Sequence, residues 1–162
     1  MLSKIISGGQ TGADRAALDA GLEKGFPIGG SCPKGRLAED GPIDAKYPLH
    51  EIAGGYTDRT RRNVEDSDGT LIFYDRYLRG GTEQTAAFCI EAGKPYKLID
   101  MDLADAETAS EATLSFLDDC GIAVLNVAGP RHSGSPAIYG FVKKVTRIII
   151  EKIAERRNTN IE

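Results

Sequence analysis

The sequence predicts an α/β fold in which a mostly parallel sheet is covered by helices. Short apolar segments rich in Ile, Leu and Val alternate with segments of helical pattern along most of the chain. The four clearest strand segments are apolar on both faces, as in a sheet buried from both sides. Glycine adds a third observation: three of these segments run into loops of glycine and hydroxyl residues, each placed before a helix.

Lys4–Ser7 is a short strand ending in glycines. A helix follows over Thr11–Lys24, with Ala16, Ala17, Leu18, Ala20 and Leu22 as apolar content, Thr11 or Gly12 as cap and Gly25 as stop. Phe26–Gly30 reads as a second strand or extended segment. "GSCPKGRLAEDGPIDAKYP" is a long loop, and such a loop inside a compact domain is functional or disordered. Leu49–Ala53 reads as a short strand and Thr57–Ser67 as a polar helix. Gly69–Tyr74 is a buried strand. Gly80 and Gly81 open a helix that Gly93 stops. Tyr96–Asp100 is a strand, Ala106–Asp119 an amphipathic helix, Ile122–Gly129 a strand, and Pro136–Arg157 contains a long helix. Its stripe of Ile148, Ile149, Ile150 and Ile153 either packs on the sheet or supplies an interface in a homo-oligomer. Residues 1–157 are expected to form one domain, and residues 158–162 a polar tail that frays.

Composition bounds the function. The 162 residues suit one domain, and 41% hydrophobic with 27% charged residues is ordinary for a soluble globular protein. A net charge of −4 argues against coating nucleic acid. No apolar run approaches the roughly 20 residues of a membrane span. Met1–Lys4 leads straight into the first strand, so no signal peptide is expected. Cys32, Cys89 and Cys120 are odd in number, widely spaced and never in C-x-x-C. They predict reduced thiols in the cytoplasm rather than a disulfide framework or zinc knuckle, with Cys32 the candidate for reactivity.

Open α/β sheets bind ligands beyond the carboxyl ends of their strands. Three segments stand there: Ser7–Gly12, Asp75 with Arg79–Thr85, and Ala128–Ser135. Glycine lets backbone approach a ligand. The first N–H groups of a helix lack internal partners, and the helix dipole favours an anion beside them. Together these predict a phosphate site built from the N–H groups of Gly9–Gly12 and Gly81–Thr85. Gly9→Asp is expected to weaken phosphate binding without unfolding the chain. No Walker A motif or G-x-G-x-x-G fingerprint is present. Lys34, Arg36, the Arg59–Arg62 run and Arg131 are either anion-binding or solvated surface charge. Catalytic constellations are thin. His50 and His132 form no H-E-x-x-H, and there is no G-x-S-x-G. Asp14 and Glu83 are the acid–base candidates, Asp14 having a second reading as a charge that complements the helix dipole. No protein-ligated metal is expected.

"SGGQTGADRAALDAG", "GGSCPKGRLAEDGPI", "YPLHE", "RTRRNVEDSDGTLIF", "RGGTEQTAAF", "GKP" and "LNVAGPR" together resemble the molybdenum carrier family, grouped with circularly permuted members of the SLOG superfamily. The resemblance runs from Lys4 to about Ile150. It implies a Rossmann-like three-layer α/β/α fold and one pocket for a nucleotide or a nucleotide-like phosphate. By the resemblance, Gly8, Gly9, Gln10, Thr11 and Gly12 match the family's first loop. Gly80, Gly81, Thr82 and Thr85 match its second, Gly129, Pro130 and Arg131 its third, and Lys34, Arg36 and Asn63 lie in other shared stretches. Superfamily relatives of the Lonely Guy type, which cleave the base from nucleoside monophosphates, carry P-G-G-x-G-T followed by a helical Glu. Here Arg79 replaces the Pro and Glu83 lies inside the loop, so that activity does not carry over. The sequence thus reads as a binding protein for a small phosphate-containing ligand, either molybdenum cofactor or a nucleotide derivative. Its alternatives are a nucleotide-derivative hydrolase and a nucleotide sensor.

Overall fold

The structure, a computed structural model, describes residues 1–159. In chain order the elements are β1 (Lys4–Ile6), α1 (Ala13–Glu23), β2 (Ile28–Gly29), β3 (Ser31–Cys32), a tight turn at Lys34–Arg36, β4 (Leu37–Ala38), β5 (Gly41–Pro42) and β6 (His50–Glu51). There follow α2 (Tyr56–Glu65), β7 (Gly69–Tyr74), α3 (Gly80–Ala92), β8 (Tyr96–Asp100), α4 (Ala106–Asp119), β9 (Val124–Ala128) and α5 (Ile138–Thr159).

The central sheet has the order β2-β1-β9-β7-β8, and each pairing in it is parallel. In register, Ile5 faces Leu125 and Leu71 faces Val127. Counted from β9 instead of β1, the order becomes 3-2-1-4-5, one half of the doubly wound arrangement. The last strand in sequence is therefore the first in topology. The ends that this counting joins are held together: Arg157, near the end of α5, donates to the Leu2 carbonyl at 2.6 Å.

Alternation along the strands sends side chains to two helical layers. Ile5, Leu71, Phe73, Leu125 and Val127 point to one face and form the main core with α1, α4 and α5. Phe73 meets Phe141 edge-on, with ring centroids 6.0 Å apart. On the other face lie α2 and α3, with Val64, Phe88 and Cys89 as a smaller cluster. This is the three-layer Rossmann-like architecture. The isoleucine stripe of α5 packs inward: Ile149, Ile150 and Ile153 are buried in the main core and Ile148 packs against it. α5 also continues to Thr159, so residues 158 and 159 of the expected tail are helical. The rest of that tail lies outside the described residues.

The long loop is ordered without joining the central sheet. The strand expected over Leu49–Ala53 shrinks to β6, which pairs with β3 in a separate two-stranded sheet, and β4 pairs with β5 as a hairpin. Phe26–Gly30 likewise shrinks to β2. Arg36 organises the segment by donating to the carbonyls of Ile43, Asp44, Tyr47 and Leu49. Beneath it, Cys32, Ala38, Ile43, Tyr47 and Leu49 cluster with Leu18 of α1. The Tyr47 and Tyr139 hydroxyls both donate to Asp19, at 2.5 and 2.6 Å, fastening the loop to α1 and α5.

Phe73 is fully buried at the centre of this core. Phe73→Ala is expected to lower the unfolding free energy in urea by about 3–5 kcal/mol; a loss under about 1 kcal/mol would contradict the packing described.

Candidate functional site

β1, β9 and β7 are neighbours and parallel, so their carboxyl ends open onto one place. A cleft of about 350 Å³ lies there, at the switch point of the sheet. It is lined by the loops after these three strands, by the first turn of α3, and by Arg59, Thr60 and Asn63 of α2.

The loop after β1 is closely packed. A side chain at Gly8 would strike Arg59, whose Nη1 donates to the Gly8 carbonyl at 2.8 Å. Gly9 has φ +77°, and a Cβ there would meet Leu49 at 2.5 Å and Ile43 at 2.9 Å. Gly12 has φ +79° and abuts the Pro130 carbonyl, which also accepts the Ala13 N–H at 3.1 Å. The Gln10 N–H donates to Asp14 Oδ2, and the Thr11 N–H to Gln10 Oε1. The expectation that Gly9–Gly12 offer their N–H groups to a phosphate is therefore corrected for Gln10 and Thr11. The expectation for Gly9→Asp is corrected too: an Asp there enters the apolar cluster beneath the long loop, and the fold suffers.

The start of α3 is different. Arg79 caps it, and the N–H groups of Gly80, Gly81 and Thr82 meet no acceptor among the described residues. No atom lies within 4 Å of a Cβ placed at Gly80 or Gly81. The helix dipole adds partial positive charge at this mouth. The Thr85 hydroxyl turns back to the Gly81 carbonyl at 2.8 Å. Arg79 Nη2 donates to the Gly134 carbonyl at 3.1 Å and links this wall to the loop after β9.

Glu39, from the long loop, ties the remaining walls together. It accepts from the Thr11 hydroxyl, from the Ser133 N–H at 3.1 Å and from the Ser133 hydroxyl at 2.6 Å. Its own N–H donates to Gln10 Oε1 at 2.9 Å. Across the cleft, Ser135 donates to Asp75 at 2.9 Å. Tyr56 at the start of α2 stands beside the guanidinium groups of Arg59 and Arg131, at 5.6 and 5.4 Å. The cleft wall thus carries Arg59, Arg79 and Arg131 against Asp14 and Asp75.

Of the residues singled out from sequence, Gly8, Gln10, Asp14, Asn63, Gly80, Gly81, Thr82, Thr85, Gly129 and Arg131 line the cleft. Asn63 does so while using both ends of its amide on the Ser31 backbone. Gly129 admits the close approach of Ala13 and the Phe73 carbonyl. Gly9, Thr11 and Gly12 stand behind the wall. Lys34, Arg36 and Glu83 are outside it: Lys34 and Glu83 are exposed, and Arg36 has its donors on loop carbonyls. Arg61 and Arg62 form exposed ion pairs with Glu91 and Asp66. Cys32 is buried beneath the long loop, and burial pushes its thiol up, so it is not a reactive thiol. Among the described residues no group of three His, Cys, Asp or Glu is arranged to hold a metal, and no helix is long and apolar enough to cross a membrane.

Sequence reasoning passed over Glu39 and Asn126, and left the Arg59–Arg62 run open between anion binding and surface charge. For Arg59 a signal existed: it lies four residues before Asn63, on the same helical face. Glu39 carries no local signal, because its partners are 28 and 94 residues away.

Two carboxylates here influence stability with opposite sign. The hydroxyls of Ser133 and Thr11 hold the Glu39 carboxyl below its ordinary range. Burial pushes Asp14 up, with Arg59 opposing. Ionised Glu39 therefore stabilises the fold above its unfolded pKa of about 4.3, and this is lost as pH falls through its folded value. Asp14 is favoured protonated in the fold, so its ionisation costs stability as pH rises from about 3.9 through its raised value. Glu39→Gln is expected to lower the melting temperature at pH 7, with the deficit shrinking below about pH 4. Asp14→Asn is expected to raise it at pH 7, the gain vanishing below about pH 4. Melting curves across pH that show the same sign for both would contradict this geometry.

Comparison with known proteins agrees with the fold. The sequence pattern of the circularly permutated YpsA SLOG family matches residues 5–150. A crystal structure named as a putative molybdenum carrier protein, from Syntrophus aciditrophicus SB, is similar at a TM-score of 0.89 and 44% identity, covering 91% of this chain and 94% of that one. No curated protein matches. The chain belongs to the circularly permutated YpsA SLOG family.

Proposed function

We propose that this chain binds a small phosphate-containing ligand in the cleft, either molybdenum cofactor carried as cargo or a nucleotide derivative. The observation that carries the reading is the start of α3: three N–H groups without acceptors, bare of side chains at Gly80 and Gly81, in a cleft with three arginines. Family membership supports a ligand-binding role, and the name of the similar crystal structure supports the molybdenum cofactor.

The residues fit the phosphate of such a cofactor. They offer no thiol or imidazole at the cleft wall, so the cargo would be held by its organic part. The volume is at the low end of the roughly 300–1,000 Å³ typical of ligand pockets, which suits a mononucleotide or a pterin phosphate better than a dinucleotide. The three unpaired cysteines support a reducing, cytoplasmic setting.

One observation favours the hydrolase alternative. Asp14 is a buried carboxyl within the cleft, raised by burial, as a general acid would be. Glu83, the other candidate, is exposed outside the wall. Turnover of AMP or ADP-ribose that disappears in Asp14→Asn while binding persists would favour that alternative.

A thermal-shift panel of molybdenum cofactor, AMP, ADP-ribose, NAD and inorganic phosphate tests the proposal. A true ligand at 100 times its dissociation constant stabilises the fold by about 2.7 kcal/mol. Gly81→Asp places an anion in open space at the helix start. It is expected to abolish the shift while leaving the ligand-free melting temperature close to wild type. No shift with any member, or an equal shift in Gly81→Asp, would contradict the proposal.

A further inference from the structure

We propose that Gln10 is the residue that reads the ligand's oxyanion, through a carboxamide whose orientation the protein fixes and whose donor end it leaves free. This rests on the reading that the cleft holds a phosphate-bearing ligand. Gln10 is 5% exposed. Its Oε1 accepts two backbone N–H groups, from Thr11 at 3.0 Å and Glu39 at 2.9 Å. The amide cannot be turned over, because Nε2 in that place would set donors against donors. Glu39 is itself fixed by Thr11 and Ser133. Nε2 is buried and without a partner among the described residues. Buried polar groups are almost always partnered, so this one awaits an acceptor from outside the chain. The other such side-chain atom, Thr146 Oγ1, sits in α5, away from the cleft wall.

The surroundings say what that acceptor is. Gln10 lines the cleft with Asp14 and Arg59. Arg59 is 7% exposed and uses Nη1 for both the Gly8 carbonyl and Asp14 Oδ2, which is 3.6 Å away. Its Nε and Nη2 have no partner among the described residues. The Asp14 carboxylate already accepts from the Gln10 N–H. The free donors here are the Gln10 amide and the Arg59 guanidinium, and one of them is a cation. That suits a group with several acceptor oxygens and no proton to give, a phosphoryl or comparable tetrahedral oxyanion, rather than a hydroxyl or amine.

Gln10→Glu is the test variant. One carboxylate oxygen still accepts the Thr11 and Glu39 N–H groups, and the other puts an acceptor where the donor was. Affinity is measured by calorimetry at pH 8 for AMP and for sodium sulfate, a tetrahedral dianion that does not titrate there. Side-chain amide signals of the wild type are followed in parallel. The chain has two glutamines, and Gln84, outside the cleft wall, is the internal reference. The Gln10 signals are expected to move on saturation with either probe, and Gln10→Glu to lose at least tenfold in affinity for both. Sulfate competing with AMP assigns the site to the phosphate of a larger ligand; a response to sulfate without AMP binding assigns it to the free anion. Affinities within threefold of wild type together with unmoved Gln10 signals overturn the assignment while leaving the cleft reading intact. Wild type that binds neither probe overturns this assignment; the cleft reading itself falls only if molybdenum cofactor, ADP-ribose and NAD also fail to shift the melting temperature.

Discussion

The structure depends on the insertion of β9 between β1 and β7. A parallel strand at the centre of a sheet is buried on both faces, and Leu125 and Val127 fill the side of the main core. On the other side stands Asn126, buried and donating to Thr70 Oγ1 of β7. The central position brings the ends of β1, β9 and β7 together, and short loops can then share one cleft. It also brings Gly129 against Ala13 and Phe73, where a side chain would force the walls apart. The site is a consequence of strand order before it is a consequence of any one loop.

Within the cleft the loops divide the work. After β1, the N–H groups of Gln10, Thr11 and Ala13 are taken by Asp14, Gln10 and Pro130, which fixes this wall. The start of α3 keeps its donors free. Glu39 joins Thr11 and Ser133 from outside, so two walls move as one. Binding groups held in place before the ligand arrives lose little freedom on association, and this lowers the cost of binding. The long loop, in turn, stands on the Arg36 guanidinium and on the two tyrosines that share Asp19.

Much of the fold was legible in the sequence because strands buried on both faces leave an unbroken apolar signal, as in Gly69–Tyr74, and because Gly25 and Gly93 mark helix ends. The short pieces of the long loop were not legible. β3 and β6 are two residues each, too short for a periodicity, and their pairing spans the loop. The candidate site divided in the same way. Glycine loops at strand ends were visible as motifs. Whether a given N–H points into the cleft or into a neighbour depends on partners far along the chain, as with Pro130 and Ala13. Arg36 and Arg59 show the limit most clearly. Both are arginines in glycine-rich or basic stretches, yet one holds a loop together and the other lines the cleft.

The measurement that addresses the central claim most directly is a backbone amide titration of the protein with AMP by nuclear magnetic resonance. The account predicts that Gly80, Gly81 and Thr82 move most and saturate together, while the Gln10 and Thr11 backbone amides, already engaged within the chain, move little. Largest shifts over Gly9–Gly12, or no saturating shift at the start of α3, would contradict it.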